Sequence, residues 1–261
     1  MSEHIIEVSG LTFGYGSDEP VIRDISFTID EPEFVCIVGP NGVGKSTLIK
    51  CLNGLIRPTE GTVRVYGRDV GDYKLKELAQ VVGYVPVMTG DFNVMTVLDT
   101  VLLGRYARQK WRTTPEDIDL AHRSLEVMEI PHLAMRDFNE LSAGQHQKVA
   151  IARGLVQEPK ILILDEPTSN LDIRHQMYVS AFLKRLSAMT GITVLMISHD
   201  LNLAAKYADK VMVMAPPGRI YCMGTPRETI TNEMIRDVYK VRSEIVDDHG
   251  SPHVMLQSVE F

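Results

Sequence analysis

Short apolar runs, bounded by glycine, proline or charged residues, recur along the chain and predict buried β-strands. They are Phe34–Val38, Val81–Val85, Ile161–Leu164, Ile192–Ile197 and Val211–Ala215. Their short length and their β-branched residues favour strands that are buried on both faces. Stretches with apolar residues at helical spacing lie between them, and the longest of these ends at Gly191. This alternation predicts an α/β fold.

A second pattern, the strict alternation of apolar and polar residues, predicts antiparallel strands outside this core. The segment Ile5–Ile29 ends in such an alternation, and Thr62–Gly67 shows another. Near the C-terminus, Pro216–Gly218 predicts the turn of a hairpin, and Glu244–Phe261 predicts two strands around a turn at 247–252. We therefore expect an antiparallel β subdomain and a C-terminal β tail over 241–261.

The middle of the chain predicts helices instead of strands. Thr96 with Asp99 matches a helix cap followed by an acid in the first turn. Thr114–Asp117 is a second helix start, with proline at the first helical position. Apolar residues follow at helical spacing. We therefore expect a helical insertion over 88–140 between the core segments 1–87 and 141–240 of a single domain.

The insertion contains a basic cluster that is interleaved with aromatic residues. Its members are Arg105, Tyr106, Arg108, Lys110, Trp111 and Arg112. Such a cluster is typical of a nucleic-acid surface, but also of a solvated helix end or a protein-docking surface. The whole chain carries 34 acidic and 27 basic residues and a net charge of −7, which argues against nucleic acid. We therefore predict a solvated or docking surface and no nucleic-acid partner.

Composition narrows the class of protein further. With 261 residues, of which 44% are apolar, the chain is long enough to bury a substantial core. No apolar run approaches the roughly 18 residues of a membrane span, and Met1–His4 lacks the features of a secretory signal. Cys36, Cys51 and Cys222 form no CxxC motif. We predict buried thiols in a reducing compartment.

The candidate chemistry centres on a glycine-rich loop between the strand Phe34–Val38 and a helix predicted over Lys45–Asn53. The loop fits the pattern G-x-x-x-x-G-K-[ST] with Gly39, Pro40, Asn41, Gly42, Val43, Gly44, Lys45, Ser46 and Thr47. Its glycines let backbone N–H groups curl around phosphates, and the helix N-terminus adds a positive dipole. Lys45 supplies a cation for the terminal phosphates, and the Ser46 hydroxyl can bind Mg²⁺.

Polar residues also follow two of the buried strands. Asp165 and Glu166 end the run Ile161–Leu164. Alternation along a strand predicts that they point to opposite sides, so that one holds Mg²⁺ and the other orients a water. His199 follows Ile192–Ile197, at the end of the strand where α/β sheets build their sites. These residues extend the candidate phosphate site.

Two further features suggest contact with a nucleotide. Leu141–Gln145 precedes a helix predicted from about His146, and Ser142 as its cap together with Gly144 predicts a second anion site. Tyr15 lies in a glycine-flanked turn, where an aromatic ring can stack on a purine. Simple packing beside glycine is the alternative interpretation of Tyr15.

In this order, the motifs resemble those of the nucleotide-binding subunit of ABC transporters over nearly the whole chain. They are an aromatic turn, the phosphate loop, a helical insertion, the string LSAGQ, a strand ending in DE and a strand ending in SHD. The resemblance implies an ABC-type nucleotide-binding domain, with a parallel core sheet around the phosphate loop, an antiparallel β subdomain and a helical insertion. It also implies ATP and Mg²⁺ as cofactors and ATP hydrolysis as the activity.

The resemblance implies a role for each site residue. Lys45 is similar to the Walker A lysine that contacts the β- and γ-phosphates, and Ser46 with Asp165 would hold Mg²⁺. Glu166 resembles the residue that polarises the attacking water, and His199 the switch histidine. The other nucleotide-facing residues that it implies are Tyr15 at the adenine, Asp172 in a turn that resembles the D-loop, and a segment that resembles the signature loop and contacts the nucleotide of a second subunit. That segment contains Ser142, Ala143, Gly144 and Gln145.

Two residues depart from the family pattern. Val87 stands where the family usually has glutamine, and Ala143 where it has glycine. Val87 has neither a donor nor an acceptor, so we expect nucleotide binding to persist while the hydrolysis rate and its coupling to a partner differ. Ala143 suits a helix start, so only a small effect follows unless the backbone there needs a positive φ.

The strings Thr96–Arg105, Met223–Pro226 and Ile235–Tyr239 resemble importers of iron–siderophore, haem and cobalamin. A molybdate or tungstate importer, a soluble ABC-type ATPase of iron–sulfur cluster assembly and a nucleotide-binding regulator without turnover are the alternatives. The resemblance implies a head-to-tail dimer with a second copy or a homologue. It further implies multi-span permease subunits, indirectly an extracytoplasmic substrate-binding protein, and a place on the cytoplasmic face of the cell membrane.

Overall fold

The computed structural model describes residues 4–16, 19–87, 95–108, 112–169 and 171–259. The strands are β1 (Ile6–Phe13), β2 (Ile22–Ile29), β3 (Phe34–Val38), β4 (Glu60–Val65), β5 (Arg68–Asp69), β6 (Val82–Val85), β7 (Ile161–Leu164), β8 (Thr193–Ile197), β9 (Lys210–Ala215), β10 (Arg219–Gly224), β11 (Val241–Asp248) and β12 (Ser251–Val259). The α-helices are α1 (Lys45–Leu52), α2 (Leu75–Leu78), α3 (Val97–Leu102), α4 (Pro115–Val127), α5 (Ala143–Leu155), α6 (Ile173–Thr190), α7 (Leu201–Tyr207), α8 (Pro226–Thr229) and α9 (Asn232–Tyr239).

The central sheet has six strands in the order β10-β9-β3-β8-β7-β6. Its strands pair in parallel except for β10, which pairs antiparallel with β9. The five buried runs predicted from the sequence are the parallel strands, so the α/β prediction is confirmed. Because β3, β7 and β8 are parallel neighbours, their C-terminal ends meet at one edge of the sheet. That edge carries the phosphate loop, Asp165 with Glu166, and His199.

Both faces of the central sheet are buried, and strand β3 shows how. Cys36 and Val38 pack into one apolar layer, which contains side chains of α3, α4 and α5. Val35 and Ile37 point the other way, into a layer with side chains of α1 and β1. Side chains alternate along a strand, so a continuously apolar strand serves two layers at once.

The predicted antiparallel strands form two separate structures. Strands β2-β1-β4-β5 make a four-stranded sheet, in which Ile6 pairs with both Ile29 and Val65. Strands β11 and β12 form the predicted hairpin of the tail. It begins at Val241, earlier than predicted, because Lys240 adopts a φ of 59° that ends α9 and turns the chain into the strand. This hairpin packs against α7 and α9.

The middle of the chain is helical, as predicted. The Thr96 hydroxyl accepts the backbone N–H of Asp99 at 3.1 Å, and Thr114 with Asp117 forms a reciprocal capping box. Residues 88–94 and 109–111 lie outside the described residues, so the division of the domain at 88 and 140 stays a prediction. In the described ranges, no helix has the length and apolarity needed to cross a membrane.

The interpretation of the basic cluster as a solvated or docking surface is wrong for Arg105 and Arg108. Arg105 is only 8% exposed, and its guanidinium donates to Asp117 at 2.7 Å and to Glu158 at 3.0 Å. Arg108 donates to the carbonyl of Gln157 at 2.7 Å. Two of the predicted surface cations therefore join the helical region to the end of α5. Lys110 and Trp111 lie outside the described residues, and Tyr106 and Arg112 are exposed.

Candidate nucleotide site

The phosphate loop connects β3 to α1 and holds a conformation that requires glycine at two positions. Gly39 has a φ of 151°, and a Cβ there would lie 2.3 Å from the carbonyl oxygen of Met214. Gly44 has a φ of 100°, and a Cβ there would lie 2.4 Å from Ile22. Side chains at these positions would meet both strain and a clash. A tight glycine loop with such backbone angles lets successive N–H groups point at a bound anion.

Lys45 is the first residue of α1 and lies inside the loop. It is 5% exposed, and its Nζ donates to the carbonyl oxygens of Gly39 at 2.7 Å and Pro40 at 2.8 Å. Burial lowers the pKa of Lys45, while the nearby carboxylates of Glu166 and Asp165 act in the opposite direction. The ammonium is thus held where it can meet an anion bound by the loop.

Ser46 and Asp165 bring a hydroxyl and a carboxylate together beside the loop. The Ser46 hydroxyl donates to Oδ1 of Asp165 at 3.1 Å, although the residues are 119 positions apart. Asp165 is 5% exposed. Burial raises its pKa, the hydrogen bond from Ser46 opposes that rise, and the charge of Glu166 adds to it. A buried carboxylate with a raised pKa is poised to accept a cation.

Tyr84 is a site residue that sequence reasoning missed. Its side chain is hydrogen-bonded to Asp165 from the neighbouring strand β6, and burial followed by the Asp165 charge raises the pKa of Tyr84 to about 12. Strand β6 pairs with β7 in the register Tyr84 to Ile163, which brings Tyr84 to the carboxylate. The order of strands in the sheet, and no local motif, determines this neighbour.

Glu166 and His199 form a second pair at the same edge of the sheet. Oε1 of Glu166 lies 2.6 Å from Nε2 of His199. Glu166 has a φ of 50°, and its carbonyl accepts the N–H of Ser169 at 3.1 Å and the Ser169 hydroxyl at 2.9 Å. The two carboxylates do face different partners, but strand alternation is not the reason, because β7 ends at Leu164 and Glu166 turns into the left-handed region. Such local strain is a common feature of functional sites.

Tyr15 lies next to the phosphate loop. Its hydroxyl is 3.4 Å from Oγ1 of Thr47, and its ring packs edge-on against Phe13 with centroids 4.9 Å apart. Tyr15 is nevertheless 58% exposed. An aromatic ring that is anchored at one side and open at the other is suited to stacking on a planar ligand.

The second predicted anion site lies at the start of α5. The helix begins at Ala143 and not at the predicted His146, because Ser142 and Gln145 cap it reciprocally. Gln145 N–H donates to the Ser142 hydroxyl at 3.3 Å, and Ser142 N–H donates to Oε1 of Gln145 at 3.0 Å. Gly144 follows within the first turn. Ala143 does not have a positive φ, so alanine fits its place.

Asp172 lies near this segment and caps α6. Its carboxylate accepts the backbone N–H of His175 at 2.8 Å, and this bond lowers the pKa of Asp172. In the described ranges, no hydrogen bond connects Ser142–Gln145 or Asp172 to the phosphate loop. The predicted site residues therefore fall into two groups. The first surrounds the loop, with Tyr15, Gly39–Thr47, Asp165, Glu166 and His199, and the second comprises Ser142–Gln145 with Asp172.

The donor set of the first group fits Mg²⁺ that arrives with a nucleotide. Ser46 and Asp165 offer hydroxyl and carboxylate oxygens, which are the hard ligands that Mg²⁺ prefers, and phosphate oxygens and waters complete such sites. Among the described residues, no cluster of three or more His, Cys, Asp or Glu side chains could hold a metal ion by itself. The protein side of the site thus suits a shared metal–nucleotide ligand.

Comparison with known proteins agrees with this geometry. The ABC transporter family profile matches residues 22–169. The chain belongs to this family. This ABC protein shares 43% sequence identity with an uncharacterized ABC transporter ATP-binding protein of Methanocaldococcus jannaschii. The alignment covers 98% of this chain and 99% of the relative. The chain is 36% identical to the ferric enterobactin transport ATP-binding protein FepC of Escherichia coli, over 98% of this chain and 96% of the relative.

Among solved structures, a metal-chelate type ABC transporter in an inward-facing conformation superimposes with a TM-score of 0.84 at 28% identity. The alignment covers 98% of both chains. The resemblance to ABC subunits of the metal-chelate importer type is therefore confirmed, and with it the ABC ATPase fold and the assignment as an ATPase.

The ABC protein keeps an apolar residue at the family's glutamine position. Val87 follows β6 and is 37% exposed. Its side chain offers no oxygen to a metal or a water. At the edge of the sheet, Ser46 and Asp165 lie 3.1 Å apart, and both offer oxygen ligands to a metal.

Proposed function

We propose that this chain is the ATP-hydrolysing subunit of an importer for a metal chelate such as an iron–siderophore, haem or cobalamin. The observation that carries the proposal is the separation of two half-sites on one chain. The phosphate loop group has the groups for binding and hydrolysis, and Ser142–Gln145 lies apart from it. The similarity to the ferric enterobactin protein and to the metal-chelate transporter supports the type of cargo.

The phosphate loop group binds ATP. The loop N–H groups surround the phosphates, Lys45 contacts the β- and γ-phosphates, and Tyr15 stacks on the adenine. Ser46 and Asp165 would hold Mg²⁺, which would neutralise charge that develops on the phosphates. Most of the rate enhancement in such sites comes from positioning and electrostatic stabilisation rather than covalent chemistry.

Glu166 and His199 act on the attacking water. The carboxylate of Glu166 accepts a hydrogen bond from the water and orients it toward the γ-phosphorus. Nε2 of His199 lies 2.6 Å from Oε1 of Glu166, so His199 holds that carboxylate in place. We expect the same ring to contact the γ-phosphate. The left-handed turn at Glu166, tied down by Ser169, fixes the direction of the carboxylate.

A second subunit completes each site. Ser142, Ala143, Gly144 and Gln145 of one chain, with Asp172, cover the nucleotide that the phosphate loop of the other chain holds. Two ATP molecules are then sandwiched in a head-to-tail dimer, and hydrolysis releases it. The helix N-terminus of α5, with the positive end of its dipole, is suited to a γ-phosphate.

The dimer works on the cytoplasmic face of the cell membrane with multi-span permease subunits, and indirectly with an extracytoplasmic substrate-binding protein. The helical region is the part that docks the permease. Loss of this helical insertion, 88–140, should uncouple transport and spare ATP binding by the core.

The test is to purify a tagged Glu166→Gln variant from its native membranes with ATP and to identify the proteins that accompany it. This change should trap the closed dimer on its partners. Recovery of a multi-span permease of the siderophore, haem or cobalamin type supports the proposal. Recovery of a molybdate or tungstate permease overturns the cargo, and recovery of soluble iron–sulfur assembly proteins alone overturns transport.

A further inference from the structure

His175 connects the two segments of the second half-site. It is the third residue of α6, and its ring Nδ1 lies 2.8 Å from Oδ1 of Asp172. The same oxygen accepts the backbone N–H of His175, also at 2.8 Å. Because a carboxylate only accepts hydrogen bonds, Nδ1 carries a proton and the ring orientation is fixed. The ring cannot turn without giving up this bond.

The opposite edge of the ring lies against Gly144. A Cβ placed on Gly144 would be 3.1 Å from Cδ2 and 3.2 Å from Nε2 of His175, closer than an ordinary contact. The imidazole therefore occupies the space that a side chain at Gly144 would need. One ring touches Gly144 at the start of α5 and holds Asp172 at the start of α6.

We infer that His175 is a positioning residue, which locks Gly144 and Asp172 into one rigid edge that faces the second subunit. This inference rests on the proposed ATP-bound dimer. Without the ring, each segment keeps its own cap, since Ser142 and Gln145 cap α5 and Asp172 caps α6 through a backbone N–H. What is lost is the fixed distance between the two segments.

Histidine meets both requirements at once. A phenylalanine keeps a ring beside Gly144 but donates no hydrogen bond to Asp172. An asparagine keeps a short amide donor for Asp172 but does not reach Gly144. If His175 only supported the helix, both replacements would be tolerated, since the Asp172 cap uses the backbone N–H of residue 175 and not its side chain. The pair of variants therefore separates positioning from helix capping.

The experiment measures ATP-driven dimerisation of Glu166→Gln by light scattering, in the presence of Mg²⁺ and increasing ATP. His175→Phe and His175→Asn are added to that background, and His122→Phe, on helix α4, is the matched control. ATP affinity at a concentration of protein too low for dimerisation is measured for each. A loss of pre-organisation predicts that both His175 variants need roughly 10- to 100-fold more ATP to dimerise. Their ATP affinity as monomers should be unchanged.

With Glu166 unchanged, the inference also predicts that the His175 variants need more ATP to reach half-maximal turnover, because dimerisation precedes hydrolysis. Equal dimerisation of Glu166→Gln with and without the His175 changes would overturn it, and so would a loss of ATP affinity in the monomer. Failure of Glu166→Gln itself to dimerise would instead overturn the proposed dimer, and the inference with it. The two failures are thus told apart by the parent variant.

Discussion

The phosphate loop group and the signature segment, Ser142–Gln145, are built in different ways. Around the loop, Lys45 and Asp165 are buried, and side chains are bonded to one another across long separations in sequence, as Ser46 is to Asp165. In the signature segment, Ser142 and Gln145 are bonded only within one helix turn. One half-site is formed by the tertiary fold and the other by a local motif.

This difference shows what a single chain can do. The loop group is held together by hydrogen bonds within one chain, such as those of Lys45 and Ser46, so it should bind ATP as a monomer. The signature segment is arranged by its own caps, and in the part of the chain that the structure describes no hydrogen bond joins it to the phosphate loop. In the proposed dimer, one chain is therefore enough to bind ATP, and hydrolysis needs both chains.

The largest effect is expected from Lys45→Ala, which should remove ATP binding by the monomer. Truncating one partner of a buried charge contact costs about 2–5 kcal/mol, which corresponds to a loss of affinity of about 30-fold to about 5,000-fold. Lys148→Ala is the matched control, because Lys148 lies on helix α5, with its Nζ 4.3 Å from the centroid of the Tyr178 ring. Titration with a fluorescent ATP analogue measures both. Equal losses in the two variants would contradict the division into half-sites.

Arg105→Leu should weaken the side of the molecule that carries the signature segment. The Arg105 guanidinium joins Asp117 of α4 to Glu158, just beyond α5. Breaking a buried ion pair by removing one partner costs about 3–5 kcal/mol of unfolding free energy. Chemical denaturation measures it. Arg227→Leu breaks an exposed pair with Asp247 and should cost no more than about 1 kcal/mol. Similar costs for the two variants would show that Arg105 is not a structural connection.

Asp165→Asn should make the ligand-free protein more stable at neutral pH. The same change should abolish Mg²⁺-dependent ATP hydrolysis. Burial raises the pKa of Asp165 above its ordinary 3.8. A raised pKa means that the folded state holds the proton more tightly than the unfolded state, so stability falls as the pH rises through the folded pKa. Asparagine removes this charge and can still accept from Ser46.

Thermal unfolding at several pH values tests the Asp165 prediction. The Tm of Asp165→Asn should exceed that of the parent by a few degrees at neutral pH, and the gap should close as the pH is lowered toward 3.8. A variant less stable than its parent at neutral pH would contradict it. A higher Tm of Asp165→Asn would mean that the carboxylate of Asp165 serves function at the expense of stability.

Local signals predicted most of the fold. Neighbouring residues determine the buried strands, the helix caps at Thr96 and Thr114, and the glycine loop. The structure has these features at the predicted positions. The misses are contacts over long separations. Arg105 meets Glu158 at 53 positions along the chain, and Tyr84 meets Asp165 only because β6 pairs with β7. From the sequence alone, a run of basic residues such as that around Arg105 is interpreted as solvent-exposed. Only the tertiary fold shows which acidic side chains pair with it.

The smallest effect is expected from a substitution at Val87, beside the loop group, where the valine side chain offers no oxygen to a metal or a water. Val87→Gln places a carbonyl oxygen at the edge of the sheet, where a hard cation or a water can use it. We expect a few-fold rise in ATP turnover at saturating MgATP, with little change in ATP affinity, because Ser46 and Asp165 already provide the metal ligands. Val127→Gln, at an exposed position on α4, is the matched control. An unchanged or lower turnover would mean that the valine does not limit hydrolysis, and that the loop group is complete without the amide.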